Sequence, residues 1–228
     1  MTSLLPPEAF VERMRTEGAR RYHVHHPFNA RMHAGELTRA EIQRWVANRF
    51  YYQTRIPIKD ALILAKSEDQ AFRRMWIHRI IDHDGAEGGE GGLELWLRLA
   101  DGVGLDRARV ASLETVLPAV RFACDAYVEL VRERSLVEAV ASSLTETFAP
   151  DIMSQRIAAW EKHYPWFDRA TLDYFRSRVP RAERDAGEAM AFVLREARTR
   201  ELQERCVAAL VRKCEILWCL LDAVQAAP

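Results

Sequence analysis

Cysteine is scarce in this chain: there are four in 228 residues, and no two form a C-x-x-C pair. Cys206, Cys214 and Cys219 share one C-terminal helical segment at spacings that suit core positions, and Cys124 lies in an apolar run. Free buried thiols in a reducing compartment are therefore expected, with no disulfide framework. Net charge is missing too, with 33 Lys+Arg against 33 Asp+Glu. That balance excludes the broad basic face needed for duplex nucleic acid, and a polybasic membrane patch. Long hydrophobic runs are absent: Ile216 to Leu221 falls far short of the roughly 20 residues that span a bilayer. MTSLLPPEAFVERM has no basic segment ahead of its Leu pair, so no secretory signal and a cytoplasmic location are expected.

Several catalytic signatures are missing as well. Reading every Glu forward by three finds no His, which removes the paired ligands of a di-iron bundle. There is no H-E-x-x-H, P-loop or G-x-G-x-x-G, and HDGAEGGEGG lacks the preceding strand that a phosphate cradle needs. No metal site is expected.

What is present is helical periodicity. Apolar residues recur at three and four throughout, without strand-like alternation, which predicts an all-α chain. Its length suits one domain spanning residues 1–228. Pro6 and Pro7 open a helix to about Arg20, the HVHHPFN segment reads as a loop, and Thr38 with Glu41 forms a capping box at the head of a long helix. Pro57 is expected to bend or break that helix. Further helices are predicted over Ser67–Asp82, Gly92–Ala100, Thr115–Arg134, Leu136–His163 with an irregularity at Pro150, Arg169–Arg198 interrupted near Pro180, and Glu201–Ala223. Together they predict a compact bundle of about seven helices.

Three polar pairs stand four apart beside large aromatics: Arg49 with Gln53, Arg79 with His83, and Tyr174 with Arg178. Each pair shares a helical face, so the three can converge on a cavity. His83 is placed either for proton transfer or to meet the helix C-terminal dipole. His23 is the best of the HVHH histidines to point inward, whereas His25 and His26 read as surface or capping residues. Lys213 interrupts a helix that is apolar around most of its circumference, so it either reaches the rim or faces a buried anion. Lys59, Arg156 and Glu146 also interrupt apolar runs.

RYHVHHPFN, WVANRFYYQTRIPIKDA, RIIDHDGAEGGEGG, LPAVRFACDAYV, ASSLTETFAP, HYPWF, YFRSR and KCEILWCLLDA resemble, in order, segments of the pyrroloquinoline-quinone (PQQ) synthase family. The likeness runs from about Pro7 to Ala223. It implies a haem-oxygenase-like bundle, a homodimer and an oxidase without cofactor. Such an enzyme closes the last ring of the bicyclic precursor AHQQ and removes eight electrons with molecular oxygen, giving PQQ and hydrogen peroxide; a protein partner of that pathway is a further implication. An electron-rich quinol can reduce oxygen directly if the protein supplies bases and cations.

By the same resemblance, His83, Tyr174 and Arg178 form the oxygen- and peroxide-binding core, and His23 is an active-site acid or base. Tyr22, Arg49, Gln53, Lys59, Arg79, Tyr127, Thr145, Glu146, Arg156 and Lys213 form the substrate-binding shell. One departure is Met153, at a position where some members of the family carry a His, because a thioether takes no proton at neutral pH. Six cations, Arg49, Lys59, Arg79, Arg156, Arg178 and Lys213, are expected to gather in one pocket, leaving a net acidic exterior. Two other readings are a thiaminase-II-like hydrolase, which needs a nucleophilic Cys such as Cys124, and a non-catalytic quinone or haem carrier.

Overall fold

A computed structural model describes residues 3–87 and 89–227, so Met1, Thr2, Gly88 of the glycine-rich loop and Pro228 lie outside the described part. Among the described residues the chain is all helix and loop, with twelve α-helices and no strand. The helices are α1 (Pro7–Arg21), α2 (Pro27–Ala34), α3 (Arg39–Ala65), α4 (Gln70–Trp76), α5 (His78–Asp84), α6 (Gly92–Gly102), α7 (Arg107–Ala111), α8 (Pro118–Glu133), α9 (Leu136–Ser142), α10 (Ala149–His163), α11 (Asp173–Glu196) and α12 (Arg200–Ala226).

The all-α class is as expected, but the helices number more than about seven because several predicted segments divide. HVHHPFN is not a loop. His23–His25 makes one 3-10 turn and α2 begins at Pro27, where a proline costs no hydrogen bond. His26 caps α2, its Nδ1 accepting from the Phe28 N–H at 3.0 Å. Ser67–Asp82 splits into α4 and α5, and α5 ends at Gly85, whose φ of +90° favours glycine. The predicted helix over 136–163 becomes α9, a 3-10 segment at Ser143–Phe148, and α10.

The Thr38 capping box forms as expected: the Glu41 N–H donates to Thr38 Oγ1 at 3.2 Å, and the Thr38 N–H donates to Glu41 Oε2 at 2.8 Å. Pro57 and Pro180 both lie inside continuous helices, so α3 is not broken at Pro57 and the interruption expected near Pro180 is absent. Pro180 is exposed, so the carbonyl it leaves unpaired lies on a wet face. Pro57 is buried between α3 neighbours that are themselves packed, and this packing offsets the roughly 3 kcal/mol cost of a mid-helix proline.

The buried apolar residues form one continuous cluster. α3 runs through the bundle against α5, α6 and α8, while α12 packs on α1, α8 and α9, and α10 lies between α2 and α11. Trp45, Trp96, Trp160 and Phe175 meet below this junction, with neighbouring ring centroids 5.4 to 6.4 Å apart. Each such ring contributes roughly 1.5–3 kcal/mol by leaving water. They make a rigid floor on which α3, α10 and α11 present polar side chains.

Candidate active site

Above that floor, between α3, the Ser143–Phe148 segment, α10, α11 and α12, lies a small, partly open cavity of about 30 Å³. Tyr22, His23, Arg49, Thr145, Glu146, Tyr174 and Arg178, all named from the sequence, line it, together with Tyr52, Ile56, Ala149, Met153 and Leu217. The surface has larger grooves of about 370, 430 and 510 Å³, but none of these site residues lines them. Of the other residues named from the sequence, none lines it, but Gln53, Tyr127, Arg156 and Lys213 each contact a lining residue. Gln53 Oε1 accepts from the Tyr174 hydroxyl at 2.8 Å, so two of the i,i+4 pairs lock together across α3 and α11.

The cations occupy three settings. Lys59 is buried against Asp60 at 2.7 Å and donates to Ser143 Oγ at 3.1 Å. Burial disfavours its charge, but Asp60 outweighs this and holds its pKa above the ordinary value. Arg79 and Arg178 share Asp185, each 3.7 Å from Oδ2, and Arg178 also donates to Glu146 at 2.8 Å. Burial again works against Arg178, and Glu146 and Asp185 more than compensate, so it remains a cation.

Arg156 and Lys213 have no carboxylate within salt-bridge distance among the described residues. Arg156 lies 4.8 Å over Trp45, and burial together with Arg49 lowers its pKa to about 9. Lys213 Nζ sits between two tyrosines, 4.2 Å from the Tyr52 ring centre and 3.3 Å from that of Tyr127, and donates to the Tyr52 hydroxyl at 2.8 Å. Burial, then Arg49 and Lys59, drive its pKa well below the usual lysine value. Arg49 covers the Tyr52 ring at 4.0 Å. Lys213 therefore does not reach the rim, and no anion faces it here.

Of the six cations only Arg49 and Arg178 line the cavity, and Asp60, Asp185 and Glu146 pair with Lys59, Arg79 and Arg178, so the formal excess of positive charge over the group is three rather than six. The exterior is correspondingly less acidic than the cations alone imply.

The histidines differ sharply. His83 is buried, and its Nδ1 lies 3.0 Å from the Arg79 carbonyl. A carbonyl only accepts, so Nδ1 carries the proton and Nε2 is bare. Burial and then Arg178 lower the pKa of His83 to about 3. Its Nε2 and Arg178 Nη1 are both buried without a hydrogen-bond partner, as are Arg79 Nε and Arg156 Nε. Unpaired polar atoms are costly inside a protein, each about 1–3 kcal/mol. Of these four residues Arg178 lines the cavity, so its unpaired Nη1 is the one on the cavity wall.

His23 contacts Asn29 through both its ring and its carbonyl, and Asn29 in turn meets Arg156 at 3.1 Å. His25 bonds the Ala19 carbonyl on the surface and His26 is the α2 cap, in line with the structural reading of both. Among the described residues no group of three or more His, Cys, Asp or Glu side chains is arranged to hold a metal. Cys124, Cys206 and Cys214 are buried as expected; Cys219 is exposed and corrects that expectation.

Sequence reading missed Asn29, Tyr52, Asp60, Ser143 and Asp185. Two signals were available: Asp60 directly follows Lys59, and Asp185 lies two turns beyond Arg178 on the same face of α11.

The TENA/THI-4/PQQC family profile matches residues 11–223. A pyrroloquinoline-quinone synthase of Ectopseudomonas mendocina is 53% identical over 223 residues, covering 98% of this chain and 89% of that protein. One of Acidiphilium cryptum is 49% identical over 225 residues, covering 99% and 92%. In structure, a Shewanella denitrificans domain with a heme oxygenase-like fold superposes with a TM-score of 0.78 at 16% identity, covering 98% of this chain and 93% of the other. A TenA homologue of Pseudomonas syringae reaches 0.79 at 11% identity, covering 100% and 99%.

Proposed function

The chain belongs to the TENA/THI-4/PQQC family, and from that premise we propose that it closes the last ring of AHQQ and oxidises the product with molecular oxygen, yielding PQQ and hydrogen peroxide without a cofactor. The coarser statement, an oxidoreductase of PQQ biosynthesis, rests on relatives of that name at about half identity over nearly the whole chain.

The observation that carries the finer reading is the pair of buried, unpartnered atoms His83 Nε2 and Arg178 Nη1 in a site with surplus positive charge. AHQQ and PQQ carry several carboxylates and quinone oxygens, which match guanidinium and ammonium donors. Arg49, Arg156 and Lys213, which lack carboxylate partners or face the cavity, hold these anionic groups. The bare His83 Nε2 takes a proton from the quinol, and the electron-rich anion that results passes electrons to oxygen. Arg178, with the Tyr174 hydroxyl, stabilises reduced oxygen as its negative charge develops. A fused tricyclic guest needs on the order of 300 Å³, against about 30 Å³ here, so the site widens on binding.

The test uses protein stripped with chelator, given AHQQ anaerobically and then air. Oxygen uptake, peroxide release and the PQQ absorption spectrum are expected; oxidation that appears only after iron is added refutes the cofactor-free reading. Binding of PQQ without oxygen uptake identifies a carrier instead. A thiaminase-like nucleophile is disfavoured by Cys124, which is buried and whose thiol is pushed up to about 12. A homodimer belongs to the same reading, supported by Phe122 (80% exposed) and Ile58 (41%) on the outer faces of α8 and α3, and is checked by the mass in solution. Action in the cytoplasm, beside a pathway partner that supplies AHQQ or takes PQQ, is also part of it; no described helix is long and apolar enough to cross a membrane.

A further inference from the structure

Asn29 connects two of the site's residues in a way that fixes where protons sit. Its Oδ1 lies 3.1 Å from Arg156 Nη2, while its Nδ2 lies 2.7 Å from the His23 carbonyl oxygen and 2.9 Å from His23 Nδ1. A guanidinium only donates and a carbonyl only accepts, so the amide is oriented from both ends. One Nδ2 proton goes to the carbonyl and the other to the ring. His23 Nδ1 is therefore a bare acceptor, and the single proton of the neutral ring is on Nε2. At His83 the Arg79 carbonyl imposes the reverse, a protonated Nδ1 and a bare Nε2.

We propose that Asn29 is a positioning residue that holds His23 as the proton-donating histidine of the site, opposite in tautomer to the accepting His83. Arg156 acts through Asn29, since an amide turned the other way would present its NH₂ to the guanidinium. Burial and the nearby Arg49, Arg156 and Lys213 keep the His23 ring neutral, so the tautomer and not the charge defines what it offers. With His83 accepting the quinol proton, His23 Nε2–H can donate to a substrate oxygen as negative charge builds on it. This role in proton delivery rests on the function proposed above, whereas the tautomer does not.

The experiment is a long-range proton–nitrogen correlation spectrum of the ligand-free protein labelled with ¹⁵N histidine, with His23→Gln identifying the His23 signals. In the unsubstituted protein His23 is expected to show an unprotonated Nδ1 and a protonated Nε2. Asn29→Asp is expected to reverse this, because a carboxylate accepts from Arg156 and has no proton for Nδ1. The same variant should lower kcat with AHQQ by roughly 10²-fold with a smaller change in KM. A protonated Nδ1 in the unsubstituted protein, which needs no variant to fold, overturns the proposal, as does an unchanged tautomer in Asn29→Asp. A reversed tautomer with unchanged kcat overturns the donor role. Expected tautomers in a protein that consumes no oxygen refute the proposed function and the delivery role together, and support the setting of the ring by Asn29.

Discussion

Asp185 is the carboxylate on which two site cations depend, and replacing it by Asn separates their charge balance from their shape. In the folded protein Asp185 is buried, lies 3.7 Å from both Arg79 and Arg178, and is 2.7 Å from the more exposed Arg184. Asp185→Asn leaves Arg178 with Glu146, but removes the only carboxylate within 4.0 Å of Arg79 among the described residues. Removing one partner of a buried pair costs about 3–5 kcal/mol. The long 3.7 Å separations place this case at the low end, about 3 kcal/mol. At roughly 2–4 °C per kcal/mol for a chain of this size, Tm should fall by about 6–12 °C.

The pH dependence follows from the same contacts. Burial works against the Asp185 charge, but Arg79, Arg178 and Arg184 overcome it and lower its pKa below the ordinary 3.8. An unfolded chain therefore binds this proton first on acidification, and the stability Asp185 contributes is complete above about pH 4 to 5 and lost below it. The deficit of the variant should be constant near neutral pH and shrink below pH 4. Two guanidiniums relieved of their carboxylate should also take up a polyanion more readily, so added PQQ should raise the Tm of the variant more than that of the parent. Thermal melts at pH 7 and pH 3.5, with and without PQQ, test all three points. A loss of less than about 2 °C at pH 7 would refute the idea that Asp185 neutralises this pair.

Three further outcomes are open to measurement. With a folded pKa of about 3 against an ordinary 6.5, His83 makes the unfolded chain bind a proton first between those values, so it lowers stability as pH falls from 6.5. His83→Gln should flatten Tm against pH over that interval while stalling oxidation at a quinol stage; a parallel pH profile would show that His83 is not held neutral. Lys213→Met should raise the Tm of the ligand-free protein and weaken PQQ binding at least tenfold, since a buried ammonium without a counter-charge is replaced by a thioether of similar length. Because the lysine's folded pKa is lowered, its penalty fades as pH rises toward 10.5, and a stability gain as large at pH 10 as at pH 7 would contradict this account. Gly92→Ala places a Cβ 3.5 Å from Tyr174 and 3.6 Å from His83, ordinary contact distances, so Tm should hold within about 2 °C. Oxygen uptake should nonetheless slow as that space fills, and an unchanged rate would place the oxygen site elsewhere.

Helical class, the Thr38 capping box and the three i,i+4 pairs are properties of neighbouring residues. Periodicity and hydrogen-bonding chemistry act over one or two turns, so the sequence by itself determined them. It also determined that Lys213 would be a charge on an apolar helix. Where local signals compete, sequence reading went astray: Pro57 was expected to bend or break its helix and Pro180 to interrupt one, and HVHHPFN was read as a loop although α2 begins within it.

Only the tertiary structure decided what faces each charge. Asn29 reaches Arg156 across 127 residues, and Tyr52 meets Lys213 across 161. Asp185 serves Arg79 from a different helix, 106 residues away. No periodicity carries information over such distances, because which faces meet depends on how the whole core packs. The same packing shuts out water, turning a row of ordinary polar side chains into unpaired donors and acceptors, and it places the proton on opposite nitrogens of His23 and His83.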